Sequence, residues 1–171
     1  MSNVPIVYRD LWRTPNYLFA WANKEFGPFD IDLAATAKDS KCDKYYTEED
    51  DALQQTWHGD DFRGWLNPPY SKIHPWVEKA IVEADHGFRT AMLIPTFNGE
   101  PRDKLIVDNA TEVVLIEGRV QFKGAHLDVK PSSNPRGSML VYFGEYYLNR
   151  GCTFRSVKRK DMEAEYVKSN A

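Results

Sequence analysis

The chain is 171 residues long, 42% of them hydrophobic and 13% aromatic, with 22 Lys and Arg against 25 Asp and Glu for a formal net charge of −3. Such a length and composition fit one domain with a buried core and exclude intrinsic disorder. No apolar run approaches the roughly 20 residues of a membrane span, the start lacks a secretory pattern, and the expectation is a cytoplasmic protein with no membrane partner.

In chain order, Thr14-Pro15 reads as an N-cap followed by proline at the first helical position, and Leu18, Phe19, Ala22 and Phe26 recur at helical spacing until Gly27 ends the segment. Residues 29–33 alternate apolar and acidic side chains as a strand does, and the small residues Ala34, Ala35, Thr36 and Ala37 follow. The polar stretch 38–59 is too long to be structureless and predicts a short helix or strand that the pattern does not place. Residues 62–66 read as a strand, 73–86 as an amphipathic helix, 90–94 as a strand, 100–109 as a helix, 112–116 as a strand, 124–137 as a loop, and Ser138–Phe143 as a strand. Strands alternating with helices predict an α/β fold: a mostly parallel sheet with helices on both faces. In such folds ligands sit beyond the carboxyl ends of the strands where the strand order reverses, so function is expected just after Leu33 and just after Leu66.

Asn67-Pro68-Pro69-Tyr70 stands at the second of these places. With proline at about 5% of residues, such a match arises by chance in about one chain in a thousand of this length. The simpler reading is a rigid turn, since two prolines fix two φ angles. The chemical reading starts from an exocyclic amino group whose lone pair is delocalised into a base. An Asn side-chain oxygen and a neighbouring backbone carbonyl can both accept from that amino group and favour a pyramidal nitrogen. An aromatic ring can stack on a base taken out of the duplex. Neither Cys42 nor Cys152 has a partner at metal-ligand spacing, and His58, His74, His86 and His126 form no i, i+4 pair, so neither a disulfide scaffold nor a metal site is expected.

The motif matches that of the amino-group methyltransferases, and the chain resembles the small phage-type DNA N-6-adenine methyltransferases over about residues 10–143. The likeness rests on Trp12-Arg13-Thr14-Pro15, Glu25-Phe26-Gly27-Pro28-Phe29-Asp30, Asp32-Leu33-Ala34-Ala35, the Asn67 to Tyr70 turn, Trp76-Val77-Glu78-Lys79-Ala80, Leu93-Ile94-Pro95 and Gly118-Arg119-Val120-Gln121-Phe122. The resemblance implies a Rossmann-like S-adenosylmethionine-dependent methyltransferase fold formed by residues 1–171 as a single methyltransferase domain, with S-adenosylmethionine as methyl donor and DNA as partner. It assigns Asn67, Pro68, Pro69 and Tyr70 to catalysis, with Asn67 and the Pro68 carbonyl accepting from the target amino group and Tyr70 stacking on the flipped base. It places Thr14, Pro15, Asp32, Ala34, Ala35, Asp60, Asp61 and Phe62 about the cofactor. Ala34-Ala35-Thr36-Ala37 stands where many methyltransferases carry a Gly-rich loop, a departure from their pattern.

The net charge conceals an asymmetry. Residues 1–149 carry 16 basic and 22 acidic side chains, whereas the basic C-terminal segment 150–171 carries 6 and 3. A second basic stretch, 118–137, holds Arg119, Lys123, Lys130 and Arg136 against Asp128, and these four are the candidate DNA contacts. Only residues 36–66 separate the cofactor segment from the catalytic turn, so target discrimination is expected to come from short loops, and specificity to be short, because each base-pair contact is worth about 1–3 kcal/mol. The turn alone leaves cytosine-N4 and protein glutamine methylation open, and a catalytically silent nucleic-acid-binding module is the alternative of another class. The sequence does not specify an oligomeric state.

Overall fold

The computed structural model describes residues 10, 12–59, 62–122, 132–133, 137–144 and 151–171. Its elements are α1 (Asn16–Phe26), β1 (Ile31–Asp32), β2 (Lys44–Tyr45), β3 (Arg63–Leu66), α2 (His74–Asp85), β4 (Arg89–Pro95), α3 (Pro101–Asn109), β5 (Glu112–Glu117), β6 (Gln121–Phe122), β7 (Ser132–Ser133), β8 (Ser138–Phe143), β9 (Thr153–Lys158) and α4 (Arg159–Ser169). Seven strands form one sheet in the order β2-β1-β3-β4-β8-β5-β9, while β6 and β7 pair separately. β8 is antiparallel to both of its neighbours and the remaining pairs are parallel, so six strands of the sheet point the same way.

Successive strand residues point to opposite faces, and two cores result. On one face Leu66, Met92, Ile94, Val113 and Val141 pack with Trp76, Val77 and Ala80 of α2 and Ile106 of α3. On the other, Trp65, Ala91, Leu93, Val114 and Leu140 pack with Leu18, Trp21 and Ala22 of α1 and Met162 of α4. Helices therefore cover both faces, as the alternation of strands and helices predicts. The spacing of Leu18, Trp21, Ala22 and Phe26 is what lets α1 bury one stripe.

The expected elements recur with boundaries shifted by up to two residues. The N-cap of α1 is Pro15 rather than Thr14, with no side-chain cap bond; Thr14 is 4% exposed and is drawn into the interior instead. The unplaced stretch 38–59 contains β2, which joins the sheet on the outer side of β1. β6 and β7, the latter within the stretch 124–137 expected as a loop, were not among the expected elements, and neither were β9 and α4. β9 and α4 form the sheet edge and pack against α1 through Met162. Arg155 in β9 is bonded to Glu112 and lies 2.9 Å from Glu25 and 5.2 Å from the Trp21 ring centre, and Arg159 is bonded to Glu163. Two of the six basic side chains of the terminal segment are thus matched by carboxylates of the same chain.

Candidate active site

From β1 the chain passes outward to β2, then returns across β1 to β3, so the strand order reverses between β1 and β3. A crevice opens at the carboxyl ends of those strands. It has a volume of about 490 Å3, within the range of about 300–1,000 Å3 usual for small-molecule sites. Asp32, Ala34 and Ala35 line one wall, Asn67 and Pro69 another, and Thr14 the strap of chain between them. The two sequence positions singled out after Leu33 and Leu66 therefore face one cavity.

Asn67 is oriented by a contact 55 positions away. Its Nδ2 donates to the carbonyl of Trp12 at 2.9 Å, and because a carbonyl can only accept, this fixes which end of the amide is the NH2. Oδ1 is left buried with no hydrogen-bond partner. Such an acceptor is costly to leave unsatisfied, about 1–3 kcal/mol, and is the feature a donor-bearing ligand would complete. Pro68 is buried behind the turn, and the Pro69 carbonyl accepts from Lys72 N at 3.2 Å. Tyr70 does not line the crevice. Its ring stands edge-on to Trp12 and Phe122, with centroids 5.9 and 6.0 Å away, and Trp12 and Phe122 stack at 5.2 Å. Its hydroxyl donates to the Leu93 carbonyl at 3.4 Å. Burial raises the phenol's pKa, and the nearby Arg102 charge opposes the rise in part.

Asp32 is 3% exposed and organises the loop after β1. Its Oδ1 accepts from Ala34 N at 3.3 Å and its Oδ2 from Lys41 N at 3.0 Å, while Ala35 N donates to the Tyr46 carbonyl of the neighbouring strand connection at 2.9 Å. Residues 34–37 all have negative φ, for the sole non-glycine with positive φ among the described residues is Asp51, at 47°. The loop thus needs no glycine, which accounts for the alanines in place of a Gly-rich turn.

Desolvation raises the Asp32 pKa from 3.8 to about 6, against the lowering effect of the Lys41 and Ala34 amides. The folded state therefore holds this proton more tightly than the unfolded chain. The cost of ionisation is fully present above about pH 6 and is relieved as the pH falls toward 3.8. The stability of the wild type relative to Asp32→Asn should accordingly increase by up to about 3 kcal/mol between neutral pH and pH 4. Thermal denaturation of both proteins across that range tests this, and a gap independent of pH would refute it.

Other expected site residues lie elsewhere. Pro15 caps α1, its carbonyl accepting from Leu18 and Phe19 N, and is outside the crevice lining. Phe62 is 62% exposed. Because β3 begins at Arg63 and runs toward Asn67, Phe62 sits at the opposite end of the strand from the crevice, which corrects its expected place beside the cofactor. Asp60, Asp61, Lys123, Lys130 and Arg136 fall outside the described residues, and Arg119 is exposed just after β5. His58 is bonded to Glu83 and stacks on His86, and His74 lies beside Glu78. Among the described residues no group of three His, Cys, Asp or Glu is placed to hold a metal ion, and no helix is long and apolar enough to cross a membrane.

The sequence reading missed several lining residues. Arg13 pairs with Asp39 at 3.2 Å across the crevice mouth, and Thr47, Glu48 and Asp51 form its outer wall. It also missed Arg102, 2% exposed on α3, with Nε 3.0 Å from Glu100 Oε2 and a buried, unpartnered Nη1. A charged residue at the start of a helix ordinarily reads as solvated, so no sequence signal marked it.

The sequence model of the family described as DNA N-6-adenine-methyltransferase (Dam) matches residues 1–167. The DNA N-6-adenine-methyltransferase of Escherichia phage T1 is 31% identical over 84% of this chain, which spans 66% of that relative's length. The enzyme of the same description from Haemophilus phage HP1 is 31% identical over 83% of each chain. A putative methyltransferase of Escherichia coli, YfdM, is 42% identical over 39% of this chain. A mostly parallel sheet with its crevice at the strand reversal, an Asn-Pro-Pro-Tyr turn facing that crevice and the match over residues 1–167 agree, and the chain belongs to the DNA N-6-adenine-methyltransferase (Dam) family.

Proposed function

We propose that this chain transfers a methyl group from S-adenosylmethionine to the exocyclic N6 amino group of adenine in DNA. The observation that carries the reading is the buried, unpartnered Oδ1 of Asn67, a residue of the crevice lining whose amide orientation is fixed by Nδ2 donating to the Trp12 carbonyl. An adenine amino group is the kind of donor that would satisfy it. Asn67 Oδ1 and the Pro68 carbonyl accept its hydrogens and turn the nitrogen lone pair out of the ring plane. Prolines 68 and 69 fix the direction of these acceptors, and Tyr70, which stands outside the crevice lining and edge-on to Trp12 and Phe122, is the residue assigned to stack on the extruded base.

The crevice suits the methyl donor chemically. It combines buried carboxylate at Asp32, cations at Arg13 and Lys41, and apolar surface at Leu53 and Trp76, which match the ammonium, carboxylate and adenine parts of a zwitterionic nucleoside. Thr14, Asp32, Ala34 and Ala35 are the residues assigned to hold it. Bound there, S-adenosylmethionine supplies an electrophilic methyl group on a sulfonium centre. The protein's part is alignment and exclusion of water, and the amino proton passes to water. No metal and no general base of shifted pKa enter this scheme.

DNA is assigned to the exposed Arg119 together with Lys123, Lys130 and Arg136, the basic stretch nearest in sequence to Phe122. Residues 1–171 act as one methyltransferase domain with the basic segment 150–171 included, in the bacterial cytoplasm where the DNA is found.

Incubation with labelled S-adenosylmethionine and DNA lacking adenine methylation, followed by nucleoside mass analysis, tests the reading. The expected product is N6-methyladenine. Label in cytosine or in protein, or no transfer by a folded chain, would overturn it.

A further inference from the structure

The strap formed by residues 10 and 12–14 is tied to both walls of the crevice. On one side Arg13 meets Asp39. On the other, Asp10 grips the end of the catalytic turn: its Oδ1 accepts from Ser71 N at 3.0 Å and its Oδ2 from Ser71 Oγ at 2.7 Å. Two positions along the strap, the Trp12 carbonyl accepts from Asn67 Nδ2. Asn67 and Ser71, which bracket the turn, are thus held by residues two apart on a single stretch of chain. The two ties differ in kind. A backbone carbonyl exists at every position and cannot by itself set where the strap lies, whereas the Asp10–Ser71 contact has two points, involves a charge, and specifies one pairing.

We propose that Asp10 is a positioning residue for the methyl transfer, pinning the strap to Ser71 so that the Trp12 carbonyl stays where it holds the Asn67 amide in one orientation. The consequence is chemical as well as mechanical. Turned by 180°, the Asn67 side chain would point Nδ2, a donor, at the substrate's amino group, which is also a donor, and the acceptor needed for catalysis would be lost. The Trp12 carbonyl opposes that rotation, and the Asp10 clamp keeps the carbonyl in place. This inference rests on the function proposed above.

The test is a kinetic set comprising Asp10→Ala, Asp10→Asn, Ser71→Ala and the Asp10→Ala/Ser71→Ala double variant, with exchange of the Ser71 amide followed by NMR. Asp10→Ala should lower kcat by roughly 10-fold, the scale of losses on removing an outer contact that orients a functional group, with a smaller change in KM for the cofactor. Asp10→Asn should recover most of the loss, because its Oδ1 can accept from Ser71 N while its Nδ2 donates to Ser71 Oγ. The double variant should be no slower than Asp10→Ala alone, and the Ser71 amide should exchange faster in Asp10→Ala. Unchanged kcat in Asp10→Ala, multiplicative losses in the double variant, or failure of Asp10→Asn to recover activity would overturn the proposal while N6-methyladenine formation by the wild type left the proposed function standing. A wild type that makes no N6-methyladenine would overturn both.

Discussion

Replacing Asn67 by alanine is expected to lower kcat by about 100-fold or more, the scale found when one preorganised polar group facing the reacting atoms is removed, with a folding midpoint close to that of the wild type. The separation of activity from stability follows from the geometry. The substitution deletes one hydrogen bond, Nδ2 to the Trp12 carbonyl at 2.9 Å, worth about 0.5–1.5 kcal/mol. It also deletes Oδ1, a buried acceptor that has no partner and is a liability to the fold. These two effects oppose each other in stability, yet both remove function. Because the acceptor contributes where the amino nitrogen changes geometry, kcat and kcat/KM should fall together, with cofactor affinity retained. Asn67→Asp supplies a sharper comparison. It keeps an acceptor but places a second carboxylate oxygen against the Trp12 carbonyl, so two acceptors face each other where a donor had been. Its activity should lie between the wild type and Asn67→Ala, with the rotamer disturbed rather than the group lost. Rates of N6-methyladenine formation, measured beside thermal midpoints, decide the matter. Wild-type turnover in Asn67→Ala, or a loss that merely tracks a fall in the midpoint, would refute the assignment.

The elements that were legible in the sequence are those whose burial imposes a period. Helix α2 buries Trp76, Val77 and Ala80, a spacing visible without coordinates, and β4 and β8 are buried along almost their whole length. β9 gave no such signal because nearly all its residues are exposed at the sheet edge, and α4 buries only Met162. Charge run and secondary structure were in effect competing readings of the same residues, and the ion pairs of Arg155 and Arg159 show why a basic run can be an edge strand and a helix start.

The site was legible in part for a related reason. Strand ends can be placed from sequence, so the turn at Asn67 and the loop after Asp32 were found on the correct edge of the sheet. Which end of β3 a neighbouring residue occupies also follows from strand direction, and on that ground Phe62 belongs to the far edge. What a linear reading lacks is the partner brought in from a distance. The orientation of Asn67 depends on a backbone carbonyl in the strap, and the outer wall comes from the polar stretch that includes Thr47, Glu48 and Asp51. Tyr70 was expected as an open stacking face. The structure instead places its ring outside the crevice lining, packed edge-on to Trp12 and Phe122.

The second large effect is expected from Trp65→Ala, and it tests whether the sheet holds the site in place. Trp65 is 1% exposed in β3, with its ring 5.5 Å from Phe19 and 5.7 Å from Phe29. Truncating so large a buried ring costs about 3–5 kcal/mol through lost burial and the cavity left behind. At about 2–4 °C per kcal/mol for a chain of this size, the midpoint should fall by roughly 6–20 °C. Trp65→Phe, which keeps a ring against Phe19 and Phe29, should lose considerably less. The backbone of Trp65 adds a functional consequence, since its carbonyl accepts from Leu33 N at 2.9 Å and ties β3 to the end of β1. Asn67 and the loop after Asp32 are carried by these two strand ends, and Trp65 itself lines the crevice. A cavity behind β3 should therefore loosen the distance between the acceptor and the cofactor wall, raising the KM for S-adenosylmethionine even at temperatures where Trp65→Ala remains folded. Thermal denaturation with steady-state kinetics well below the midpoint separates the two effects. A variant that loses stability yet keeps wild-type KM and kcat would show that the crevice is maintained by its own loops and by the strap, independently of the packing beneath β3.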